Sequence, residues 1–150
     1  MDTQNVYTIG FSGKSAEQFF SLLGQHNVQR VLDVRLWNRS QLAGFTKARD
    51  LQFFLRTILD ADYVHLPILA PTKELLDGYK KKQVSWADYE LAYVKILAER
   101  NAQAMLAPEL FTDACLLCSE ATAQQCHRRL GAEYLQSKWG IFNQLNIIHL

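Results

Sequence analysis

The sequence predicts an α/β fold built on a mainly parallel sheet of five strands with helices on both faces. Segments with strand character alternate with segments of helical periodicity along the chain, a pattern typical of this class. The stretch "QRVLDVRL" at 29–36 is too continuously apolar for a strand with one solvated face, and it fits a strand covered on both faces. The predicted strands are 5–10, 29–36, 62–66, 114–119 and 146–150.

Four hydroxyl residues stand where helix N-caps are expected, and three of them have the spacing of a capping box. These residues are Ser15 (with Gln18), Thr46, Ser85 (with Asp88) and Thr122 (with Gln125). The last of these helices would run to about Trp139 and would hold Cys126 in its early turns. A further short helix is predicted over 74–79, within a connection that is the best candidate for a mobile cover.

The simplest arrangement of the strands puts the first strand in the centre, the second and third to one side, and the fourth and fifth to the other. Strand order would then reverse between strands one and four. In open parallel sheets, ligands bind beyond the carboxyl ends of the strands at such a reversal, because the adjacent loops diverge there. We therefore expect a crevice at that edge.

Length and composition narrow the classes of function. A chain of 150 residues fits one domain, 1–150, and a net charge of +1 gives no overall attraction to nucleic acid or to anionic membranes. Three cysteines within twelve residues, with no signal-like N-terminus, predict a cytoplasmic protein. No apolar run approaches the roughly 20 residues that a membrane span needs. The segment "TIGFSGKS" at 8–15 ends like a phosphate loop but has Thr where that loop requires Gly.

The strand ends supply the candidate ligand-binding and catalytic residues. Asp33 and Arg35 are two apart and share a face of the second strand, so they form either a mutual ion pair or a guanidinium oriented toward an anion. We expect both to face the crevice together with residues from the other strand ends. These are Gly10, Ser12, His65, Cys118 and Glu120.

The segment "CSEATAQQCHRRL" at 118–130 is the most informative in the chain. It runs from a strand end into a helix start, where free backbone N–H groups and the positive end of the helix dipole favour anions. Cys126 could be a thiolate stabilised by His127 and Arg128, or a small buried hydrophobic residue. A zinc site of Cys118, Cys126, His127 and perhaps His65 is conceivable, but adjacent residues at a helix start converge poorly on one ion, so no metal is predicted.

These segments resemble the domain of unknown function 488 family. Its pattern has an Ile-Gly-aromatic-Ser/Thr segment, an Asp-x-Arg, and a Cys-x-Glu followed by Cys-His-Arg, matched here at 9–12, 33–35, 118–120 and 126–128. The stretches "SQLAGFTK" at 40–47, which contains Ser40, and "YVHLPILAPTKE" at 63–74 also match. Many members have His at the position of Phe11 and Pro at the position of Arg39. The resemblance implies a Rossmann-like fold and a pocket built from these motifs, but no activity.

Two functions of different classes remain open. In the first, the protein is an enzyme that binds a small phosphate-bearing or nucleotide-like anion through Arg35 and Arg128, with Cys118 or Cys126 as thiolate and Glu120 or His127 as proton carrier. In the second, it is a non-catalytic nucleotide- or nucleic-acid-binding accessory module whose basic surface combines the lysines at 80–82 with Arg128 and Arg129. We favour the enzyme. The sequence identifies neither a cofactor nor an oligomeric state.

Overall fold

A computed structural model describes residues 3–39, 44–140 and 144–150. Its sheet has five strands, all parallel, in the order β3-β2-β4-β1-β5. The strands are β1 (Thr3–Gly10), β2 (Arg30–Asp33), β3 (Asp62–His65), β4 (Ala114–Cys118) and β5 (Gln144–His149). The predicted α/β class with a parallel five-stranded sheet is confirmed.

Helices cover both faces of this sheet. The described helices are α1 (Ala16–Gln25), α2 (Ala48–Phe54, continued by a π-helical turn over Leu55–Leu59), α3 (Lys73–Lys80), α4 (Trp86–Glu99), α5 (Ala102–Met105) and α6 (His127–Trp139). On one face, α1 and α2 bury Phe19 and Leu51 against the strands. On the other face, α4 and α6 bury Tyr93 and Leu135 in a second core cluster. No helix within these ranges is both long and apolar enough to cross a membrane.

The predicted strand order is wrong in one respect, because β4 and not β1 is the central strand. β4 pairs with β1 on one side and with β2 on the other. All five of its residues, "ACLLC", are buried, whereas β1 begins with exposed residues. A strand with apolar residues on both faces is most stable in the middle of the sheet, because helices cover both of its faces there and keep the apolar side chains out of water. Cys118 therefore ends the central strand, at the middle of the carboxyl edge.

Two of the four predicted caps are confirmed. The Ser15 side chain accepts from the Gln18 backbone N–H in a full capping box, and Ser85 accepts from the Asp88 backbone N–H. The prediction for Thr46 is wrong: Lys47 holds the N-cap position of α2, and Thr46 is fully buried in the preceding turn.

The prediction of a capping box at Thr122 and Gln125 is also wrong. Residues 119–126 form a loop, hereafter the 119–126 loop, and α6 begins only at His127, with Cys126 at the N-cap. The reason lies in two arginines of the first helical turn. Arg128 donates to the carbonyl of Glu120, and Arg129 donates to the carbonyls of Ala123 and Gln124. The carbonyls of Ala123 and Gln124 are those that a helix capped at Thr122 would have turned toward its own backbone, and the bond to Glu120 holds the start of the loop.

Arg128 is the largest fully buried side chain, and it also reaches the sheet. Its Nε donates to Thr8 Oγ1 at 3.2 Å, and Thr8 Oγ1 lies 2.6 Å from Nδ1 of His149 in the edge strand β5. Its NH1 donates to the Glu120 carbonyl at 2.6 Å. The guanidinium thus joins α6, β1 and the 119–126 loop.

Gly10, at the end of β1, leaves the room that this arrangement needs. A Cβ atom there would overlap with the Glu120 carbonyl and would lie 2.8 Å from NH1 of Arg128. We predict that Gly10→Ala lowers the free energy of unfolding by roughly 1–3 kcal/mol or more, because a backbone carbonyl must move. Urea unfolding followed by circular dichroism measures this loss. Gly44→Ala is the matched control, since a Cβ at Gly44 meets no atom of the described chain within 4 Å; equal losses would contradict the prediction.

Candidate functional site

The carboxyl ends of β2 and β4 border a cavity of about 140 Å³. Its floor is formed by residues at or just after these strands, and one wall is formed by α3 and the start of α4. The residues that line it are Arg35, Leu36, Trp37, Pro71, Leu76, Tyr79, Lys80, Trp86, Tyr89, Cys118, Ser119, Glu120, Gln125, Cys126 and His127. Five of the predicted site residues, Arg35 and the four proposed catalytic residues, therefore line one cavity.

A buried ion pair lies beside this cavity. Arg35 donates from Nε and NH2 to the two carboxylate oxygens of Asp33, at 2.9 and 2.8 Å, and both side chains are at most 2% exposed. Tyr63 donates its hydroxyl to the same carboxylate at 2.5 Å. Burial and the neighbouring carboxylate raise the pKa of Tyr63, so the phenol keeps the proton that it donates. Of the two arrangements open from the sequence, the mutual ion pair is present.

The ion pair with Asp33 does not use every nitrogen of the Arg35 guanidinium. NH2 of Arg35 also donates to the Thr46 carbonyl at 2.7 Å, and the guanidinium carbon lies 5.6 Å from the centre of the Phe11 ring. NH1, in contrast, is buried and has no hydrogen-bond partner among the described residues. An unpaired buried donor costs about 1–3 kcal/mol, and more when the group is charged. The orientation of Arg35 is thus fixed by Asp33, while one of its nitrogens remains available.

Cys118, Cys126 and His127 form a second cluster, hereafter the thiol–imidazole trio. One ligand atom from each, two sulfurs and a ring nitrogen, lies within 4.8 Å of the others, and all three side chains are buried. The Cys118 sulfur is 3.6 Å from Nδ1 and 3.8 Å from Nε2 of His127. Nε2 donates to the Val34 carbonyl at 2.7 Å, which leaves Nδ1 without a proton in the neutral ring.

The helix start explains why adjacent residues converge here. Cys126 has an extended backbone, with φ −139° and ψ 138°, and His127 is the first helical residue. The chain direction changes between them, so that both side chains approach the end of β4. The expectation that neighbours at a helix start converge poorly assumed that both lay within the helix.

The surroundings shift the pKa values of the two thiols of the trio in opposite directions. The pKa of Cys118 is lowered, chiefly because Cys126 donates a hydrogen bond to its sulfur, and also by the backbone N–H groups of Ser119 and Glu120 and the charge of Arg128. The same hydrogen bond, together with burial, raises the pKa of Cys126. Cys115 lies in the core of the opposite face, where burial raises the pKa of its thiol. The surroundings therefore favour ionisation of Cys118 over ionisation of Cys126.

The remaining predicted residues lie elsewhere. Gly10 is covered by Glu120 and Arg128, and Ser12 is an exposed turn residue whose backbone N–H donates to the Ser119 carbonyl. His65 donates from Nε2 to the Arg35 carbonyl and lines a neighbouring hollow with Trp37 and Asn38. Arg128 is buried beneath the 119–126 loop and is not among the lining residues. Ser40 lies outside the described residues.

Sequence reasoning missed the aromatic wall of the cavity. Trp86 and Tyr89 stack with ring centroids 5.1 Å apart, and Tyr79 packs against both. Trp86 and Tyr89 lie three residues apart, a helical spacing that by itself predicts only a core-facing side, and Tyr89 does join the core cluster. Tyr79, in the predicted cover, also donates its hydroxyl to Gln125 of the 119–126 loop at 3.2 Å. The signal that the sequence offered was an aromatic residue at the edge of a core-facing helix side, next to the segment predicted to be a mobile cover.

Comparison with known protein families gives one match. The family model described as "Domain of unknown function DUF488" matches residues 15–135 of the chain. The matched range includes β2 to β4, the Asp33–Arg35 pair and the whole thiol–imidazole trio. No curated protein and no solved structure matches.

The buried ion pair leads to a stability prediction. We predict that Asp33→Asn lowers the free energy of unfolding by about 3–5 kcal/mol, because it leaves the buried Arg35 cation without a counter-charge. Asp62→Asn is the matched control on the neighbouring strand: Asp62 is 75% exposed and lies 3.9 Å from Arg30, so its loss should cost roughly 0–1 kcal/mol. Urea unfolding of both variants measures the difference. Equal costs would show that Asp33 does not neutralise Arg35.

Proposed function

Because the chain belongs to the DUF488 family, whose description names no activity, we propose from its own cavity that it is an enzyme acting on a small anionic substrate. The substrate carries a phosphate or a similar group, as a nucleotide does. Arg35 binds the anion, and the trio with Glu120 supplies the chemistry.

The unpartnered nitrogen of Arg35 carries this proposal. Arg35 is 2% exposed and lines the cavity, and its NH1 has no partner within the described part of the chain. An anionic oxygen in the cavity would satisfy this donor and would gain a charge-assisted hydrogen bond. Since Asp33 already fixes two of the guanidinium nitrogens, binding requires little loss of side-chain freedom.

The cavity wall favours a substrate with a flat part. Trp86 and Tyr79, which are partly exposed, line one side of the cavity, and the buried ring of Tyr89 stacks behind Trp86. Aromatic rings in such a position stack on planar groups such as nucleobases. The exposed Lys80 lies on the same wall and adds positive charge at the rim. A phosphate at Arg35 with a planar group on the wall is the arrangement we propose.

The groups proposed for the chemistry are adjacent to this anion position. Glu120 is exposed and lines the cavity, so its carboxylate can exchange protons with solvent and with a bound molecule. A positioned acid or base of this kind typically contributes about 10²- to 10⁴-fold in rate. The trio lies at the end of β4, on the cavity floor.

The accessory-module alternative stays a prediction. Its basic surface would use Lys80, Lys81 and Lys82, which are exposed. Arg128, however, is fully buried, and Arg129 is paired with Glu133 at 2.7 Å. Arg128 and Arg129 thus form their hydrogen bonds within the protein, and we keep the enzyme as the proposed function.

Anion binding can be tested with Arg35→Lys. Lysine keeps a positive charge beside Asp33 but lacks the second nitrogen of the fork, so we predict that affinity for inorganic phosphate and for adenosine monophosphate falls by about 10- to 100-fold, the worth of one charged hydrogen bond. Isothermal titration calorimetry at low salt measures both ligands.

Arg30→Lys is the matched control for this test. Arg30 also lies in β2 and also approaches an aspartate, but it is at the opposite end of the strand. It should bind both ligands as the unmodified protein does. Failure of the unmodified protein to bind either ligand, or equal losses in the two variants, would rule out Arg35 as the anion site.

A further inference from the structure

The thiol–imidazole trio presents a set of donors that the proposed anion site does not use. Two sulfurs and a ring nitrogen lie within 4.8 Å of one another, and Cys118, Cys126 and His127 all line the cavity although each is buried. We propose that these three residues bind a Zn²⁺ ion whose fourth coordination position opens onto the cavity.

The donor types and their spacing fit this metal. Zinc binds thiolate at about 2.3 Å and imidazole at about 2.0 Å in tetrahedral geometry, so sulfur and nitrogen ligands lie about 3.6 Å apart. The Cys118 sulfur lies 3.6 Å from Nδ1 of His127. Two thiolates with one imidazole are also soft enough to prefer zinc over magnesium or calcium.

The surroundings of the trio are those that metal ligands commonly have. Nε2 of His127 donates to the Val34 carbonyl at 2.7 Å, which leaves the lone pair of Nδ1 for a metal. The Cys118 sulfur is nearly equidistant from the two ring nitrogens. Coordination of an ion through Nδ1 would therefore require the His127 ring to turn about its Cβ–Cγ bond.

Two other uses of these residues explain less of the arrangement. A disulfide between Cys118 and Cys126 would leave the position of His127 unexplained. A nucleophile–base pair of Cys118 and His127 would leave Cys126 unexplained. A metal ion uses all three donors, and the two thiols release their protons when it binds.

Three protein ligands and an open position are typical of catalytic rather than structural zinc. A water or a substrate oxygen in the fourth position would be polarised by the ion, and Glu120, on the same cavity, is placed to exchange its proton. The metal site does not depend on the proposed function, whereas this role in turnover does.

The experiment titrates the full-length, reduced chain with Co²⁺ in a buffer with a non-chelating reductant, and then displaces Co²⁺ with Zn²⁺. We expect one metal ion per chain, with thiolate-to-cobalt charge-transfer bands and the intense visible bands of tetrahedral cobalt. The same change at each cysteine gives matched variants. Cys118→Ala and Cys126→Ala should weaken binding by more than the roughly 10- to 100-fold that loss of an outer partner of a metal ligand costs.

Cys115→Ala is the control, because Cys115 is equally buried but lies in the core cluster on the opposite face of the sheet. It should bind cobalt as the unmodified chain does. Circular dichroism checks that each variant is folded. If a variant does not fold, the cobalt spectrum of the unmodified chain decides whether the metal site exists.

Three results would overturn the inference. These are no stoichiometric binding by the unmodified reduced chain, retained binding in Cys118→Ala or Cys126→Ala, and an equal loss in Cys115→Ala. Phosphate binding without cobalt binding would refute only the metal site, and cobalt binding without phosphate binding would refute only the proposed anion site.

Discussion

The buried guanidinium of Arg128 is the constraint on which the candidate site depends. It joins the first turn of α6 to Thr8 in β1 and to the Glu120 carbonyl in the 119–126 loop. A buried arginine must satisfy its donors within the protein, so these bonds fix where the loop can run. Because the loop is held against Gly10, it brings Cys126 back toward the end of β4 and leaves the Glu120 side chain exposed at the cavity.

The two buried arginines of the Asp-x-Arg and Cys-His-Arg segments therefore have different environments. Arg128 is bonded to the protein through a hydroxyl and a backbone carbonyl and is absent from the cavity lining. Arg35 is neutralised by Asp33, and one of its nitrogens is unpaired among the residues that the structure describes. From the sequence alone, both were expected to bind the anion. Their contacts distinguish them: Arg128 holds the 119–126 loop, whereas Arg35 is available to a ligand.

Much of the fold follows from short-range patterns, and these were predicted well. The third strand, expected over 62–66, is present at Asp62–His65, and the Ser15 capping box is present as expected. The strand order and the start of α6 were not predicted, because each depends on contacts between distant segments. The position of β4 follows from pairing with two strands more than eighty residues away along the chain, and the late start of α6 follows from side-chain bonds to carbonyls. The convergence of Arg35 with the trio followed from parallel strands ending at one edge, whereas the aromatic wall depends on how α3 and α4 pack.

The contacts of Thr8 have a consequence for the edge of the sheet. Its hydroxyl connects Arg128 on one side to His149 in β5 on the other. A chain of three hydrogen-bonded side chains thus runs from the edge strand β5, through the neighbouring strand β1, to the backbone carbonyl of Glu120. Fraying of β5 would deprive Thr8 of its hydrogen-bond partner His149 and loosen the contact that holds the 119–126 loop. The geometry of the cavity therefore depends on a strand two positions away in the sheet.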